Sequence, residues 1–317
     1  MGAEVLERTW KRLRRRVLKS AVKGYAALLL RQPLYDGRDV PSPSGRYGSG
    51  AGTPLPLVLL GDSSAVTVGV LTAADTVGAH LARLLADRLE CPVDLDVLAR
   101  AGATTAGMGR QVRSVAGRAA PGVAFILIGG NDVLLPAPLG RAADRLGRYV
   151  RELRGAGWEV VVGSCADIGA APALRLPAAV VASVRSRRLA RLQRPAAVAA
   201  GGRVVTLETD AFRRNPGRLY CADAFHPSAE GYRLYLGLAA PAVATAGEAC
   251  LRTRASAQRA ALPVVKTCRT AAPGTAGVPG HTQLPRPVRP LLRSVRRRAA
   301  AGAADAARSG VSEREQL

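Results

Sequence analysis

The sequence predicts a doubly wound α/β domain, a three-layer α/β/α sandwich with a central five-stranded parallel sheet. Two observations predict this fold. Five short apolar runs recur between residues 56 and 207, and each has the length and composition of a strand buried on both faces. Helical patterns separate the runs, and strands that alternate with helices form parallel sheets with right-handed crossovers. Such sheets bind ligands beyond the carboxyl ends of their strands.

The predicted elements extend from residue 56 to residue 244. The strands are PLVLLG at 56–61, VDLDVL at 93–98, VAFILIG at 123–129, WEVVVG at 158–163 and RVVTL at 203–207. Apolar residues at helical spacing predict helices over 78–90, 138–157 and 183–194, and a further helix over 228–244 after the last strand. The helix over 138–157 ends in a glycine stop, as many helices do.

The two ends of the chain differ from this domain in charge. Of a net charge of +23, residues 1–46 contribute 11 Lys/Arg against 4 Asp/Glu, and residues 251–317 contribute 13 against 3. We expect a basic amphipathic helix over 1–35, a Gly/Pro/Ser linker over 36–54, the α/β domain over 55–248, and a basic, largely disordered tail over 249–317. The N-terminal helix either contacts anionic lipid or packs on the domain with a solvated charged face.

No targeting or membrane-spanning segment is expected from the sequence. The apolar run YAALLL at 25–30 is far shorter than the ~20 residues that cross a bilayer, and no A-x-A-like cleavage site follows it. We therefore expect a cytoplasmic protein with peripheral membrane association as an open alternative. Aromatic residues make up only 4% of the chain and are not interleaved with the basic residues, which argues against nucleic acid as a partner.

The five cysteines are widely spaced and contain no C-x-x-C pair, which argues against a zinc site or a disulfide scaffold. We expect most of them to be free thiols. A bond between Cys165 and Cys221 stays open as an alternative, because each residue follows shortly after a predicted strand.

Polar segments follow four of the five predicted strands. They are GDSS at 61–64, AGATTAG at 101–107, GGND at 129–132 and DAFHPSAEGY at 223–232. Because the carboxyl ends of parallel strands share one edge of the sheet, these four blocks are expected to converge there.

Acyl transfer by serine requires a hydroxyl nucleophile, a base, a group that orients the base, and donors for the oxyanion. Ser63, His226 and Asp223 fill the first three roles. The Ser63 and Gly102 backbone N–H groups and the Asn131 side chain are candidates for the oxyanion hole. Taken alone, Ser63 and Gly102 also have structural explanations as a helix cap and a turn glycine, and His226 as the residue that enters a helix at Pro227. The joint occurrence in this order favours the catalytic interpretation.

Together the four blocks resemble those of the SGNH (GDSL-type) esterase and lipase superfamily, over about residues 55–245. The resemblance implies a flavodoxin-like fold, Ser63 as nucleophile, Asp223 and His226 as its partners, an oxyanion hole of Ser63, Gly102 and Asn131, and no metal or organic cofactor. The chain departs from the usual pattern at Ser64, an extra serine, and before Gly102, where the family often has an asparagine or similar polar residue and this chain has LARAG. The absence of a G-x-S-x-G elbow disfavours the α/β-hydrolase fold.

The sequence thus predicts a serine hydrolase of carboxylic esters, acting on a small-molecule or lipid ester. An O-acyltransferase acting on a sugar or lipid hydroxyl and a basic membrane-associated binding protein with a degenerate hydrolase domain are the alternatives. The segment 166–177, after the fourth strand, is expected to line the acyl or leaving-group side. The Ala- and Arg-rich composition is typical of a high-GC bacterial coding sequence.

Overall fold

The computed structural model describes residues 28–50 and 52–261. Its strands are β1 (Gly45–Tyr47), β2 (Leu55–Gly61), β3 (Val93–Val97), β4 (Val123–Leu127), β5 (Glu159–Gly163) and β6 (Arg203–Val205). Its helices are α1 (Ser63–Val66), α2 (Val77–Leu89), α3 (Gly109–Ala116), α4 (Gly130–Leu134), α5 (Leu139–Gly155), α6 (Ala178–Ala199), α7 (Ala211–Arg214), α8 (Pro216–Leu219) and α9 (Ala229–Ala261). Most of the predicted N-terminal helix and of the predicted basic tail lies outside the described residues.

The strands form one sheet in the order β1-β3-β2-β4-β5-β6, in which β2 to β6 are parallel. This order of the parallel strands is the flavodoxin-like one. Helices α2 and α9 cover one face of the sheet, and α3 and α5 cover the other. The predicted three-layer α/β fold is confirmed, and the sheet has six strands instead of five.

The sixth strand, β1, lies within the segment predicted as a linker. It pairs antiparallel with β3 at the edge of the sheet, with Gly45 opposite Leu95 and Tyr47 opposite Val93. The Arg46 guanidinium donates to the Asp94 carboxylate at 2.8 and 3.1 Å. A three-residue edge strand is too short to show the alternation from which strands are predicted, and this explains why the sequence indicated only a linker.

The central strands are buried on both faces, as their continuous apolar sequences predict. In β2, Leu57 and Leu59 pack towards α2 and α9, whereas Val58 and Leu60 pack towards α3 and α5. All four side chains are fully buried. The alternation divides the core into two layers and leaves the carboxyl edge of the sheet for the polar blocks.

Helix α9 extends well beyond its predicted end and beyond the predicted domain boundary. Cys250 is buried in the core, and the Arg254 guanidinium donates to the carbonyl oxygens of Pro54 and Pro121 at 3.0 and 2.6 Å. These contacts hold the added turns on the domain. Among the described residues, α9 alone is long and apolar enough to cross a membrane by length and composition, with a mean hydropathy of 1.4 over its most apolar window. Its apolar stripe packs on the sheet as part of the core.

The segment before the predicted linker also packs on the domain. Leu28 and Leu29 are helical and the helix does not continue beyond them, whereas a helix was predicted to residue 35. Pro33 contributes to this end, because it has no backbone N–H to donate to the Leu29 carbonyl, as the next turn of a helix would require. Leu30 forms an antiparallel bridge with Leu174, which anchors the segment beside the carboxyl edge of the sheet.

Candidate active site

A cleft of about 260 Å³ lies at the carboxyl edge of the sheet, where the four polar blocks meet. Four of the five predicted site residues line it: Ser63, Gly102, Asn131 and His226. The fifth, Asp223, is buried and hydrogen-bonded to His226. The structure therefore brings all five residues together.

Ser63 is the first residue of α1, directly after β2. The backbone N–H of a first helical residue has no acceptor within its helix, so this donor is available to a ligand. Asp62 caps the helix, since its carboxylate accepts a hydrogen bond from the Ser64 backbone N–H at 3.0 Å. Ser64 also lines the cleft, so both hydroxyls of the block are candidates.

Asp62 connects the serine block to the asparagine block. Its second carboxylate oxygen accepts from the Gly129 backbone N–H at 3.2 Å. Burial raises the pKa of Asp62 to about 6, and the hydrogen bonds from Ser64 and Gly129 oppose this rise. A buried carboxyl group that holds two loops therefore titrates in the mildly acidic range.

Replacement of Asp62 by asparagine should change how stability depends on pH. Because the pKa of Asp62 is higher in the folded chain, its stabilising contribution is complete below about pH 4 and is lost as the pH rises through about 6. The wild type should lose about 3 kcal/mol of unfolding free energy relative to Asp62→Asn over this range. Denaturant unfolding of both proteins at several pH values measures the difference, and a constant difference would contradict the assignment.

Gly102 has a left-handed backbone, with φ at +77°. An added Cβ would meet no atom within 4 Å, so the backbone conformation and not the available space favours glycine here. The Arg100 backbone N–H donates to the Gly61 carbonyl at 3.1 Å, which ties the loop to the end of β2. Gly102 thereby lies at the cleft wall near the serine block.

Asn131 lies in the first turn of α4. Its side-chain amide donates to the Ala103 carbonyl at 2.9 Å, which uses one of its two N–H donors. Its neighbour Asp132 is buried and accepts from the Thr105 backbone N–H and hydroxyl, both at 2.8 Å. The glycine and asparagine blocks are therefore fastened to each other by two separate contacts.

His226 and Asp223 form the closest polar pair of the site. The His226 Nδ1 and Asp223 Oδ2 atoms are 2.6 Å apart, and Asp223 Oδ1 accepts from the backbone N–H groups of Phe225 and His226 at 2.9 and 2.8 Å. Burial would raise the pKa of Asp223, but the hydrogen bonds from His226 and Phe225 outweigh it and hold the pKa well below its usual range. An ionised Asp223 fixes the proton on Nδ1 and leaves Nε2 as an acceptor.

The histidine block packs directly on the chain that follows Ser63. A Cβ on Gly69 would lie 2.6 Å from the Pro227 carbonyl oxygen, so only glycine permits this approach. The buried Tyr232 hydroxyl donates to the Val68 carbonyl at 2.8 Å. Both contacts join the segment that follows His226 to the segment that follows Ser63, and they thereby fix the two residues relative to each other.

Three supporting contacts were not predicted from the sequence. The Gln111 side chain pairs with both the N–H and the carbonyl of Gly61, at 2.8 and 3.0 Å. The Arg185 guanidinium donates to four carbonyls around the end of α4, at 2.8 to 3.0 Å. The Tyr35 backbone N–H donates to Asp223 Oδ2 at 3.1 Å. Gln111 gives a sequence signal, a polar residue on the apolar face of α3, whereas the Tyr35 contact involves no side chain.

Of the loop over 166–177, the first half lines the cleft, through Ala166, Asp167, Ile168 and Ala171. Leu176 instead lines a neighbouring groove. Asp167 accepts from the Arg213 guanidinium at 2.6 Å, so its charge is neutralised locally. Within the described residues, no group of His, Cys, Asp and Glu is arranged to hold a metal ion.

Cys165 and Cys221 are both free thiols, so the alternative of a bond between them is not realised. Their sulfur atoms contact different partners: Cys165 Sγ donates to the Ala166 carbonyl and Cys221 Sγ to Asp223 Oδ1. Cys91 and Cys250 are also free, and Cys268 lies outside the described part of the chain.

Sequence comparisons identify the family. Residues 59–234 match the GDSL-like Lipase/Acylhydrolase family. The GDSL-like esterase Rv1075c of Mycobacterium tuberculosis is 36% identical over 233 residues, which cover 72% of this chain and 70% of that protein.

Solved structures with similar folds include the acetylxylan esterase Axe2 of Geobacillus stearothermophilus, at 20% identity, 61% coverage of this chain, 95% of that chain and a TM-score of 0.48. The α/β hydrolase LAE5 from the metagenome of Lake Arreo is 22% identical, and the match covers 64% of this chain and 98% of that chain with a TM-score of 0.48. The family match spans more than half of the chain, and together with the mycobacterial relative it shows that this protein belongs to the GDSL-like lipase/acylhydrolase family.

Proposed function

We propose that the protein is a serine hydrolase of carboxylic esters with Ser63 as nucleophile, His226 as base and Asp223 as the partner of the base. The observation that carries this proposal is the cleft itself. Ser63, His226 and the two other donors, Gly102 and Asn131, line it together, and Asp223 binds His226 from the buried side. Membership of an esterase and acylhydrolase family supports the same chemistry.

In the proposed first step, Ser63 Oγ attacks the carbonyl carbon of the ester while His226 Nε2 takes its proton. Asp223 keeps the imidazole in the tautomer that leaves Nε2 unprotonated, and it stabilises the imidazolium that forms. His226 then gives the proton to the departing alcohol. The product of this half-reaction is an acyl group esterified to Ser63.

The negative charge that develops on the carbonyl oxygen needs donors already in position. The backbone N–H groups of Ser63 and Gly102 and the free N–H of the Asn131 amide supply them in our proposal. In the second half-reaction, His226 takes a proton from the water that attacks the acyl group, and returns it to Ser63 Oγ as the bond between the acyl carbon and Oγ breaks. The products are the carboxylic acid and free Ser63. Neither half-reaction requires a redox partner.

Replacement of Asn131 by alanine should lower kcat by about 10²–10³, because one oxyanion donor is lost. The KM should change little, since the interaction strengthens mainly in the transition state. Asn215→Ala, at an exposed asparagine away from the cleft, is the matched control and should keep wild-type kinetics. Equal kinetics for Asn131→Ala and wild type would exclude Asn131 from the oxyanion hole.

Hydrolysis of p-nitrophenyl acetate, butyrate and octanoate by the purified protein tests the function. With water as the only acyl acceptor, we expect each ester to be cleaved to nitrophenol and the free acid. Product analysis in the presence of sugar and glycerol acceptors separates hydrolysis from acyl transfer, because a transferase would form the new ester in excess of the acid. Absence of turnover on all three esters would contradict the proposal.

For partners, we propose a small-molecule or lipid ester as substrate, with Ala166, Ile168 and Ala171 lining one side of its binding cleft. We also propose contact with an anionic membrane surface, on the basis of the basic segments 1–46 and 251–317. Binding of the full chain to anionic vesicles should weaken as salt is added, since salt screens exposed charges.

A further inference from the structure

A cluster of exposed aliphatic side chains lies beside the candidate active site. Among the described residues, nine large apolar side chains are exposed, and five of them belong to this cluster. We call Leu28, Leu176, Val180, Val181 and Val184 the apolar face. Leu28 and Leu176 are 75% and 71% exposed, and the three valines are more than half exposed.

The members of the apolar face are held next to one another by the fold. Leu28, Leu176 and Val181 line the same groove, which has a volume of about 400 Å³. Val180 and Val184 are one helical turn apart on α6, so they lie on the same surface of that helix as Val181.

The two parts of the apolar face are tied together by backbone hydrogen bonds. The Arg175 N–H donates to the Leu29 carbonyl at 2.8 Å, and the Arg31 N–H donates to the Ala173 carbonyl at 2.8 Å. The segment that carries Leu28 is thus fixed against the chain that carries Leu176. A fixed, contiguous apolar surface marks an interaction site more strongly than apolar side chains exposed singly.

Cationic side chains border the apolar face. Arg31 and Arg175 are exposed next to it, and α6 continues the stripe of Val181 and Val184 with Arg188 and Arg191, which are also exposed. In the described part of the chain, no ion pair neutralises Arg188 or Arg191. An aliphatic centre with a rim of arginines is the pattern of surfaces that insert into anionic lipid headgroups.

The chain that enters the apolar face is itself strongly basic. Residues 1–27 carry eight Lys/Arg and two Glu, and they join the described structure at Leu28. Electrostatic attraction of this segment to anionic lipid, at about 1 kcal/mol per basic residue near the surface, would bring the apolar face to the same surface.

We propose that the apolar face docks the folded domain on an anionic lipid bilayer. The aliphatic side chains enter the headgroup region, and the bordering arginines contact lipid phosphates. This assigns membrane contact to particular residues of the domain, in addition to its charged ends.

Docking at this position would also present the catalytic cleft to the membrane. Leu134 lines both the groove under the apolar face and the cleft that contains Ser63. A lipid ester could therefore reach Ser63 along an apolar path from the bilayer surface. This consequence rests on the proposed hydrolase function, whereas docking itself does not.

Flotation of the full chain with vesicles tests the docking. The probes are vesicles of phosphatidylcholine with and without phosphatidylglycerol, and the variants are Leu176→Asp and Val181→Asp. Leu238→Asp is the matched control. Leu238 is exposed on α9, which covers one face of the sheet, whereas α6 packs on α5 at the other face. The control introduces the same charge, and the exposed fraction of Leu238, 43%, is close to the 53% of Val181.

We expect the wild type to float with the anionic vesicles. Leu176→Asp and Val181→Asp should each have a vesicle partition coefficient about tenfold below that of the wild type, whereas Leu238→Asp should stay within about twofold of it. Unchanged binding by both variants, equal losses in Leu238→Asp, or no flotation of the wild type would overturn the proposal. A variant that instead converts a dimer into a monomer in light scattering, without changing flotation, would assign the face to self-association and also overturn it.

Two measurements without vesicles keep this test separate from that of the proposed function. The thermal unfolding midpoints of the variants should match the wild type, which shows that the domain is folded. Their rates of p-nitrophenyl acetate hydrolysis should also match. If the wild type hydrolyses no ester, the proposed function fails while flotation still decides the docking.

Discussion

Ser63→Ala is expected to lower kcat for p-nitrophenyl butyrate by about six orders of magnitude, the scale seen when a nucleophile is removed from a serine triad. The alanine has no oxygen with which to form the acyl intermediate. The protein should remain folded, because within the described residues the Ser63 hydroxyl makes no hydrogen bond and its side chain lines the cleft. Steady-state kinetics and a thermal unfolding curve measure both quantities.

Ser64→Ala is the matched control for this variant. It removes the neighbouring hydroxyl, which lines the same cleft, and it retains the backbone N–H that donates to Asp62. We expect its kcat to stay within about tenfold of wild type. The opposite pattern, with activity lost in Ser64→Ala and kept in Ser63→Ala, would move the nucleophile by one residue.

The second large effect is expected for Asp223→Asn, which should lower kcat by about 10³–10⁴ with little change in KM. An asparagine amide can donate to His226 Nδ1, and this favours the tautomer whose Nε2 carries a proton and cannot accept one from Ser63. The Asp223 carboxylate also accepts hydrogen bonds from the backbone N–H groups of Phe225 and His226. The side-chain oxygen of an asparagine can still accept these two hydrogen bonds.

Asp36→Asn controls for the change of charge. Asp36 lines the same cleft but is exposed and pairs with Arg38, so its loss should change kcat by no more than about twofold. If Asp36→Asn and Asp223→Asn had equal effects, the loss would reflect the charge of the cleft and not the orientation of His226.

The elements that the sequence predicts best are the strands that are buried equally on both faces of the sheet. Each parallel strand is covered on both faces, so its apolar run is continuous, and Val58 and Leu60 are as buried as Leu57 and Leu59. The edge strand β1 has no such pattern, because only Tyr47 among its three residues packs on the core. Its pairing depends on β3, which is distant in sequence.

The boundaries of the domain were predicted less well than its centre. The composition after residue 248 suggested a tail, yet Cys250 and Arg254 extend α9 through contacts with distant parts of the chain. Similarly, the sequence left open whether the residues before 36 pack on the domain, and it did not indicate that Leu30 pairs with Leu174. Such contacts are set by tertiary structure, and local composition carries no signal for them.

The candidate site shows the same division. Ser63, Gly102, Asn131 and His226 could be predicted because each follows a strand whose end had to meet the others at one edge of the sheet. The hydrogen bond from the Tyr35 backbone to Asp223 could not be predicted, since a backbone donor leaves no trace in the sequence. Arg185 appears in the sequence as one arginine among many on a basic helix.

Labelling with a fluorophosphonate probe, followed by peptide mass spectrometry, tests the central claim most directly. Such a probe forms a covalent bond only with a serine whose hydroxyl is activated by a base and whose product oxyanion is stabilised. We predict a single labelled serine, Ser63, with labelling abolished in His226→Ala. Labelling at Ser64, or an absence of labelling in a folded wild-type protein, would contradict the account.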